Sequence, residues 1–308
     1  MDDLQRLKNL KIPTGKIDAV LDTDAYNEID DQFAISYMLL SKDKINTKAI
    51  YAAPFHNTRS TGPKDGMEKS YEEILRLLDF LGEDVKVFKG SEAYLPNESV
   101  PVISPAASDL AERAKEYSPE NPLYVVAIGA ITNVASAILI NPDVAENIVV
   151  VWLGGHAHHY HDTKEFNMYQ DIAAARVVMC SGVPFIQLPC MGVVSEFRIS
   201  KPELEYWLKG KNPLADYLAD AAIKEADSYA FGTPWTRVIW DVTAVGWLVN
   251  DVGYLMSSRL IPTPMPTYDY RYSSNPNGHL MNYVYSINRD CLMKDLFDKI
   301  INFDRSVK

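Results

Sequence analysis

Two stretches of this chain are apolar at every position, and they constrain its fold more than any other feature. Residues 123–128 read LYVVAI and residues 148–153 read IVVVWL. A strand that faces water on one side alternates apolar and polar residues, whereas a strand covered on both faces is apolar throughout, as in parallel sheets. A helical pattern at residues 133–139 separates the two stretches. We therefore expect an α/β fold with helices on both faces of the sheet.

The same alternation of strand and helix patterns runs along most of the chain. Further strands are expected at residues 16–22, 46–53, 85–88, 184–188 and 283–287, and further helices at 32–40, 67–81, 106–117, 172–180 and 292–301. After about residue 201 the pattern is mostly helical, at residues 202–208, 214–229 and 242–249. A stretch rich in Pro and Tyr, residues 261–277, is expected to be a surface loop with an edge strand. The prediction is an open, mostly parallel central sheet flanked by helices, with a mostly helical C-terminal part, in one domain spanning residues 1–308.

Charge and composition exclude several classes of protein. The net charge is −11 and no basic stripe is visible, so a nucleic-acid partner is not expected. No apolar run reaches the length of a membrane span, and the N-terminal residues lack the apolar segment of a signal peptide. Cys180, Cys190 and Cys291 are widely spaced and odd in number, which favours reduced thiols. These features predict a cytoplasmic protein without a membrane or nucleic-acid partner.

The most informative polar segment is DTDAYNEIDD at residues 22–31, between the first predicted strand and an apolar helix. It holds four aspartates and Glu28 within ten residues. Carboxylates this close raise one another's pKa unless a cation compensates, and hard oxygen ligands suit Ca²⁺ or Mg²⁺. A cation lowers the pKa of a water molecule, and a neighbouring carboxylate can then take the proton. The alternative is that Asp30 and Asp31 only cap the helix that follows.

Several motifs in order give a resemblance to a known family. The segment Asp22-Thr23-Asp24…Asp30-Asp31 resembles the N-terminal signature of the inosine-uridine nucleoside hydrolases, usually DxDxGxDD. The further motifs similar to that family are Gly129-Ala130-Ile131-Thr132-Asn133, Trp152-Leu153-Gly154-Gly155, Glu165-Phe166-Asn167 and the late Asp241. The resemblance implies the nucleoside-hydrolase fold and a calcium-dependent hydrolase. Such an enzyme cleaves the N-glycosidic bond of a ribonucleoside to free base and ribose, and is commonly a homodimer or homotetramer.

The resemblance also implies a role for each matching residue. Asp24 is the general base and a metal ligand. Asp31, Asp241 and the backbone carbonyl of Thr132 are further ligands, and Asp22 supports the metal site. The remaining matches, Asp30, Glu165 and Asn167, bind the ribose hydroxyls.

The chain departs from the family pattern at several of these positions. Five residues separate Asp24 from Asp30, where the family has three, and the family's glycine is missing. Asn57 aligns with a sugar-contacting asparagine only after a shift, and His159 falls near the place of another. Trp240 precedes Asp241 where many pyrimidine-cleaving members have a histidine. An aromatic residue there resembles the purine-preferring branch and predicts stacking on the base.

Histidines are concentrated in HAHHYH at residues 156–161. Their spacing lacks the pattern of a helical zinc site, so zinc is the less favoured alternative. An imidazole near neutral pKa can protonate a leaving base. The candidates are His56, His156, His158, His159 and His161, or none of them.

Two other functions are compatible with parts of the sequence. The apolar strand followed by Asp22-Thr23-Asp24 also resembles the nucleophile motif of haloacid dehalogenase-like phosphatases, with Asp22 as nucleophile and Asp24 as acid. That reading leaves the motifs around Gly129, Glu165 and Asp241 unexplained. The second alternative is a ribosyl-binding protein without activity on the same fold, because a fold alone does not determine function.

Overall fold

Strands and helices alternate along the computed structural model, which describes residues 1–275 and 278–305. The strands are β1 (Ile17–Thr23), β2 (Ile45–Ala52), β3 (Val87–Lys89), β4 (Leu123–Ala127), β5 (Ile148–Leu153), β6 (Phe185–Leu188), β7 (Arg198–Ser200), β8 (Thr236–Val238), β9 (Met256–Pro262), β10 (Met265–Pro266), β11 (Tyr272–Ser273) and β12 (Leu280–Ile287). The helices are α1 (Asp3–Asn9), α2 (Asp30–Leu40), α3 (Pro63–Leu81), α4 (Pro105–Arg113), α5 (Thr132–Ile140), α6 (Val144–Asn147), α7 (Phe166–Gln170), α8 (Ile172–Cys180), α9 (Lys201–Trp207), α10 (Pro213–Ala230), α11 (Val242–Leu248) and α12 (Arg289–Ile301).

One sheet organises these elements, with the strand order β3-β2-β1-β4-β5-β6-β12-β9. Its neighbouring strands pair in parallel, except that β9 pairs antiparallel with β12 at the edge. From β1 the chain moves outward to β2 and β3, and it returns on the other side of β1 as β4. Open α/β sheets bind ligands at such a reversal, beyond the carboxyl ends of the strands. The crevice between β1 and β4 is therefore the expected place for a site.

Both faces of the sheet are covered, as the apolar strands predict. Along β1, Ala19 and Leu21 belong to one buried cluster and Val20 belongs to the other. The first cluster includes side chains of α2, α3, α10, α11 and α12, and the second includes side chains of α4, α5 and α8. Every residue of β4 and β5 is buried. The predicted class, a mostly parallel central sheet flanked by helices, is confirmed.

Several elements differ from the sequence expectation, among them the edge strand β9, the hairpin that follows it and helix α1. The edge strand β9 begins at Met256, before the stretch 261–277, and that stretch continues as a hairpin of β10 and β11. Residues 276 and 277 of the stretch lie outside the described residues. Strand β9 is half exposed along an edge, so its apolar pattern is weak. Helix α1 was not predicted either, although Asp2 caps it by accepting a hydrogen bond from the backbone of Gln5.

In the described ranges, no helix combines the length and the apolar character that crossing a membrane requires.

Candidate active site

A cavity of about 210 Å³ opens at the carboxyl ends of the central strands. Six carboxylates line it, together with amides, one indole, one imidazole and one ammonium group. The residues that carry these groups are Asp24, Glu28, Asp30, Asp31, Glu165, Asp241, Asn27, Asn167, Trp240, His156 and Lys164. A larger depression of about 580 Å³ lies beside α12, but its Lys42 and Lys299 already form ion pairs with Glu83 and Asp295. The smaller cavity is thus the candidate site.

The acidic segment folds back on itself so that its two ends meet. Strand β1 ends at Thr23, and the backbone N–H of Asn27 donates to the carbonyl of Asp24 at 2.7 Å in a tight turn. Helix α2 then begins at Asp30. The hydroxyl of Thr23 donates to Oδ1 of Asp31 at 2.5 Å. These contacts bring the aspartates on both sides of the five-residue connection to the same cavity.

Three carboxylates converge closely enough to share one ion. The candidate ligand atoms of Asp30, Asp31 and Asp241 all lie within 4.8 Å of one another. Burial raises the pKa of Asp30 and of Asp31 to about 7. Burial, followed by repulsion from neighbouring carboxylates, raises the pKa of Asp24 and of Asp241 well above the usual range. A compensating positive charge would let all of these groups ionise together.

The donor atoms fit a divalent cation. Oδ2 of Asp22 and Oδ2 of Asp24 are buried, and within the described ranges neither has a hydrogen-bond partner. Gly129 lets the chain pass close to Asp24, because a β-carbon there would lie 3.2 Å from the carboxyl carbon of Asp24. An all-oxygen set of this kind suits a hard ion such as Ca²⁺ or Mg²⁺.

Two residues at the start of α5, Thr132 and Asn133, make side-chain hydrogen bonds to buried aspartates. The Asn133 side-chain amide donates to Oδ1 of Asp22 at 2.7 Å, and its oxygen accepts from the backbone and the hydroxyl of Ser91. The hydroxyl of Thr132 donates to Asp171 at 2.7 Å, so this buried residue is tied to the N-terminus of α8. Asn133 belongs to the turn motif identified in the sequence, but no role was assigned to it there.

The opposite wall carries Glu165 and Asn167. The carboxylate of Glu165 caps α7 by accepting backbone N–H groups of Asn167 and Met168, and it also accepts from Gly155. The Asn167 amide nitrogen donates to the carbonyls of Ile128 and Leu153, where β4 and β5 end. Its amide oxygen has no hydrogen-bond partner among the described residues, and it is therefore available to accept a hydrogen bond from a ligand.

Two of the predicted substrate contacts do not line the cavity. Asn57 is not part of the lining, and its amide donates to the side-chain oxygen of Asn27, which is, at 2.6 Å. His159 is exposed, and its ring lies 5.4 Å from that of Tyr160. The predicted roles of Asn57 and His159 remain predictions.

Of the histidines singled out in the sequence, His156 is the one that lines the cavity. Burial lowers the pKa of His156, so its imidazole is neutral near pH 7. The ring of His158 lies between Tyr272 and Tyr283 and contacts Gln187, while His56 and His161 are exposed. Within residues 1–275 and 278–305, these imidazoles do not converge on one point as zinc ligands would.

Arg237 is a site residue that the sequence analysis missed. Only 5% of its side chain is exposed, and its guanidinium lies 2.9 Å from Glu28, 3.1 Å from Glu225 and 3.8 Å from Asp30. Three residues after Arg237, the backbone N–H of Trp240 donates to Oδ2 of Asp30 at 3.1 Å. The only signal in the sequence is a charged residue within a mostly apolar stretch.

Comparison with known proteins agrees with the fold and the motifs. The sequence model of the family described as inosine-uridine preferring nucleoside hydrolase matches residues 19–273. A pyrimidine-specific ribonucleoside hydrolase, RihA of Citrobacter koseri, is 27% identical over 62% of this chain and 66% of its own length. A non-specific ribonucleoside hydrolase, RihC of Salmonella paratyphi B, is 26% identical over 80% of this chain and 83% of its own length.

Solved structures show the same fold. A purine-preferring ribonucleoside hydrolase from Gardnerella vaginalis superposes with a TM-score of 0.75 at 19% identity, covering 94% of this chain and 100% of the other. With the family match spanning most of its length, this chain belongs to the inosine-uridine preferring nucleoside hydrolase family. It is accordingly a hydrolase of nucleoside N-ribosyl bonds, and the phosphatase alternative is not favoured.

The position of Arg237 leads to a stability prediction. Arg237→Met leaves Glu28, Glu225 and Asp30 without their shared guanidinium, and we expect a loss of about 3–5 kcal/mol in the free energy of unfolding. Arg59→Met is the matched control, because Arg59 also pairs with Glu225 but is 40% exposed, and it should cost about 0–1 kcal/mol. Urea denaturation of both variants measures the difference. Equal losses would contradict the role given to Arg237.

Proposed function

We propose that this chain is a calcium-dependent ribonucleoside hydrolase that releases free base and ribose, with a preference for purine nucleosides. The observation that carries the proposal is the convergence of buried carboxylates from two distant segments of the chain, Asp24 and Asp31 from one and Asp241 from the other, in one cavity. The opposite wall of that cavity carries Asn167, whose amide oxygen has no hydrogen-bond partner among the residues that the structure describes. Family membership agrees with hydrolysis of an N-glycosidic bond.

Asp24 is placed to take a proton from the attacking water. Its Oδ2 is buried and accepts no hydrogen bond within the described ranges, so this atom is available to accept a proton. Asp24, Asp31, Asp241 and the backbone carbonyl of Thr132 would hold a calcium ion, with Asp22 supporting the site. When bound, the ion offsets carboxylate charge and lowers the pKa of a water that it contacts.

The remaining polar groups bind and orient the ribose. Asp30 is fixed by the backbone N–H of Trp240, Glu165 by three backbone N–H groups, and Asn167 by two carbonyls. Groups held this way do not have to reorganise as positive charge develops on the sugar ring. Fixed carboxylates near the ring therefore stabilise the oxocarbenium-like transition state electrostatically.

Catalysis is tested by release of free base from inosine, adenosine, guanosine and uridine, with calcium and with a chelator. Asp24→Asn removes the proton acceptor with little change of shape, so we expect kcat to fall by about 10²- to 10⁴-fold. The variant should unfold cooperatively like the parent. The matched control is Asp269→Asn, on an exposed side chain outside the cavity, which should keep full activity.

The outcomes of this assay separate the candidate functions. Calcium-dependent release of base that is lost in Asp24→Asn supports the proposal. Near-normal turnover by Asp24→Asn would show that another group takes the proton. If the purified chain binds nucleosides in calorimetry yet releases no base, the ribosyl-binding alternative holds and the hydrolase proposal fails.

The purine preference is assigned to Trp240, which lines the cavity with part of its side chain accessible. Stacking of a base on an aromatic ring contributes about 1–3 kcal/mol, which corresponds to about 10- to 100-fold in kcat/KM. Trp240→Ala should lower kcat/KM for inosine by that factor and affect uridine less. Trp207→Ala, on an exposed helix outside the cavity, is the control. Equal losses for both nucleosides would rule out a stacking preference.

The cellular setting is part of the same proposal. Cys180, Cys190 and Cys291 are free thiols, as expected for a reducing cytoplasm. We also propose a homodimer or homotetramer, which sedimentation of the purified chain would reveal.

A further inference from the structure

The five-residue connection between Asp24 and Asp30 is held in one conformation by contacts at several points. The backbone N–H of Asn27 donates to the carbonyl of Asp24, and the Asn27 side chain accepts from Asn57. The amide of Gln32 donates to the carbonyl of Ala25 at 2.9 Å. With its backbone held in this way, the connection presents two polar side chains, Asn27 and Glu28, to the cavity.

One carboxylate oxygen of Glu28 is paired with Arg237, and the other is available to a ligand. Its Oε2 accepts from the buried guanidinium of Arg237 at 2.9 Å. Its Oε1 has no hydrogen-bond partner in the part of the chain that the structure describes, and 45% of the side chain is exposed. The carboxylate thus offers a free acceptor atom to whatever occupies the cavity.

The charges around Glu28 leave a negative balance. Arg237 is shared between Glu28, Glu225 and Asp30, and the one further cation in this network, Arg59, pairs with Glu225 at 3.1 Å. Three carboxylates therefore face two guanidinium groups. A group that donates a hydrogen bond or carries positive charge is favoured at Oε1, and a group that only accepts is disfavoured.

Contacts of Arg237 and Asp30 connect Glu28 to the backbone of Trp240. Asp30 accepts the backbone N–H of Trp240 and lies 3.8 Å from the guanidinium that holds Glu28. Glu165 and Asn167 belong to a different segment, at the start of α7. Glu28 and Trp240 both line the cavity, so Glu28 is a candidate to contact the base on which Trp240 is assigned to stack.

We propose that Glu28 is a specificity-determining residue that accepts a hydrogen bond from an N–H group of the nucleobase, and that Arg237 is the positioning residue that holds it. The preferred substrates are then nucleosides whose base carries an N–H donor. This inference rests on the proposed nucleoside hydrolase function. A base without such a donor leaves the carboxylate unpaired in the complex, which costs transition-state binding.

The test compares inosine, guanosine and adenosine, whose bases carry N–H donors, with purine riboside, whose base has none. Purine riboside is smaller than the other three, so steric exclusion cannot explain its rejection. The quantity measured is the ratio of kcat/KM for the best donor-bearing nucleoside to kcat/KM for purine riboside. Comparing this ratio between variants cancels differences in the intrinsic reactivity of the bases.

Glu28→Ala should lower the ratio by about 10- to 100-fold, as for loss of a hydrogen bond to a charged group. Glu28→Gln keeps an acceptor oxygen and should restore part of the ratio. The matched control is Glu225→Ala, which removes another carboxylate from Arg237 without reaching the cavity, and it should leave the ratio unchanged.

Arg237 is tested through a double-mutant cycle. Arg237→Met should lower the ratio in the parent chain but have no further effect on it in the Glu28→Ala background, because its role is exercised through Glu28. A purely structural role would lower kcat/KM for all four nucleosides in parallel and leave the ratio intact in both backgrounds.

Calorimetry with the same four nucleosides, in calcium, reads the same discrimination from Kd. Parallel losses for all four nucleosides in Glu28→Ala, in rate and in Kd, would overturn the role of Glu28 while leaving the hydrolase function standing. Discriminating binding without cleavage would overturn the hydrolase function and support the role of Glu28. Failure of the parent chain to bind any of the four would overturn both.

Discussion

Repulsion between carboxylates in a buried crevice is the constraint on which the rest of this site depends. Asp24, Asp30, Asp31 and Asp241 are all nearly inaccessible to solvent. Burying an unpaired charge is costly, and burying several of one sign next to each other costs more. Hydrogen bonds hold two of these carboxylates, Asp31 from the hydroxyl of Thr23 and Asp30 from the backbone N–H of Trp240, and a divalent cation can neutralise the cluster. The repulsion that destabilises these carboxylates in the absence of a cation also favours the binding of a hard ion.

The sheet determines where these groups meet. The acidic connection follows β1, the Gly129–Asn133 turn follows β4, and Asp241 immediately precedes α11. Since the order of the strands in the sheet reverses between β1 and β4, the connections that follow these two parallel strands lead to opposite faces of the sheet and leave a crevice. Gly129 keeps that crevice narrow beside Asp24, and Asn133 fixes Asp22 beneath it. Backbone geometry and second-layer hydrogen bonds thus prepare the site before any ligand arrives.

Much of this could be predicted from the sequence, for identifiable reasons. The fully apolar strands β4 and β5 predicted a parallel sheet because a strand covered on both faces has no polar side. The acidic segment predicted an oxygen-ligand site because its residues are neighbours in the chain. The sequence did not predict helix α1 or the start of the edge strand β9, because exposed elements carry a weak apolar pattern.

Long-range pairs within the site were also beyond reach. Arg237 and Glu28 are 209 residues apart in the chain and form an ion pair only after folding. For the same reason, neither the contact between Asn57 and Asn27 nor the exposure of His159 could be predicted from the motifs. Motif matching finds residues that resemble a family pattern, whereas the unusual five-residue connection acquires its meaning from partners far away in sequence.

We propose that one divalent cation completes the carboxylate cluster. Calcium titration of the metal-stripped chain by calorimetry tests this proposal most directly. We expect a single Ca²⁺ site. Calcium at one hundred times its Kd should raise the free energy of unfolding by about 2.7 kcal/mol. Asp241→Asn should abolish or strongly weaken binding, and Asp269→Asn should not change it. No binding by the parent chain, or equal affinity in Asp241→Asn, would contradict the account.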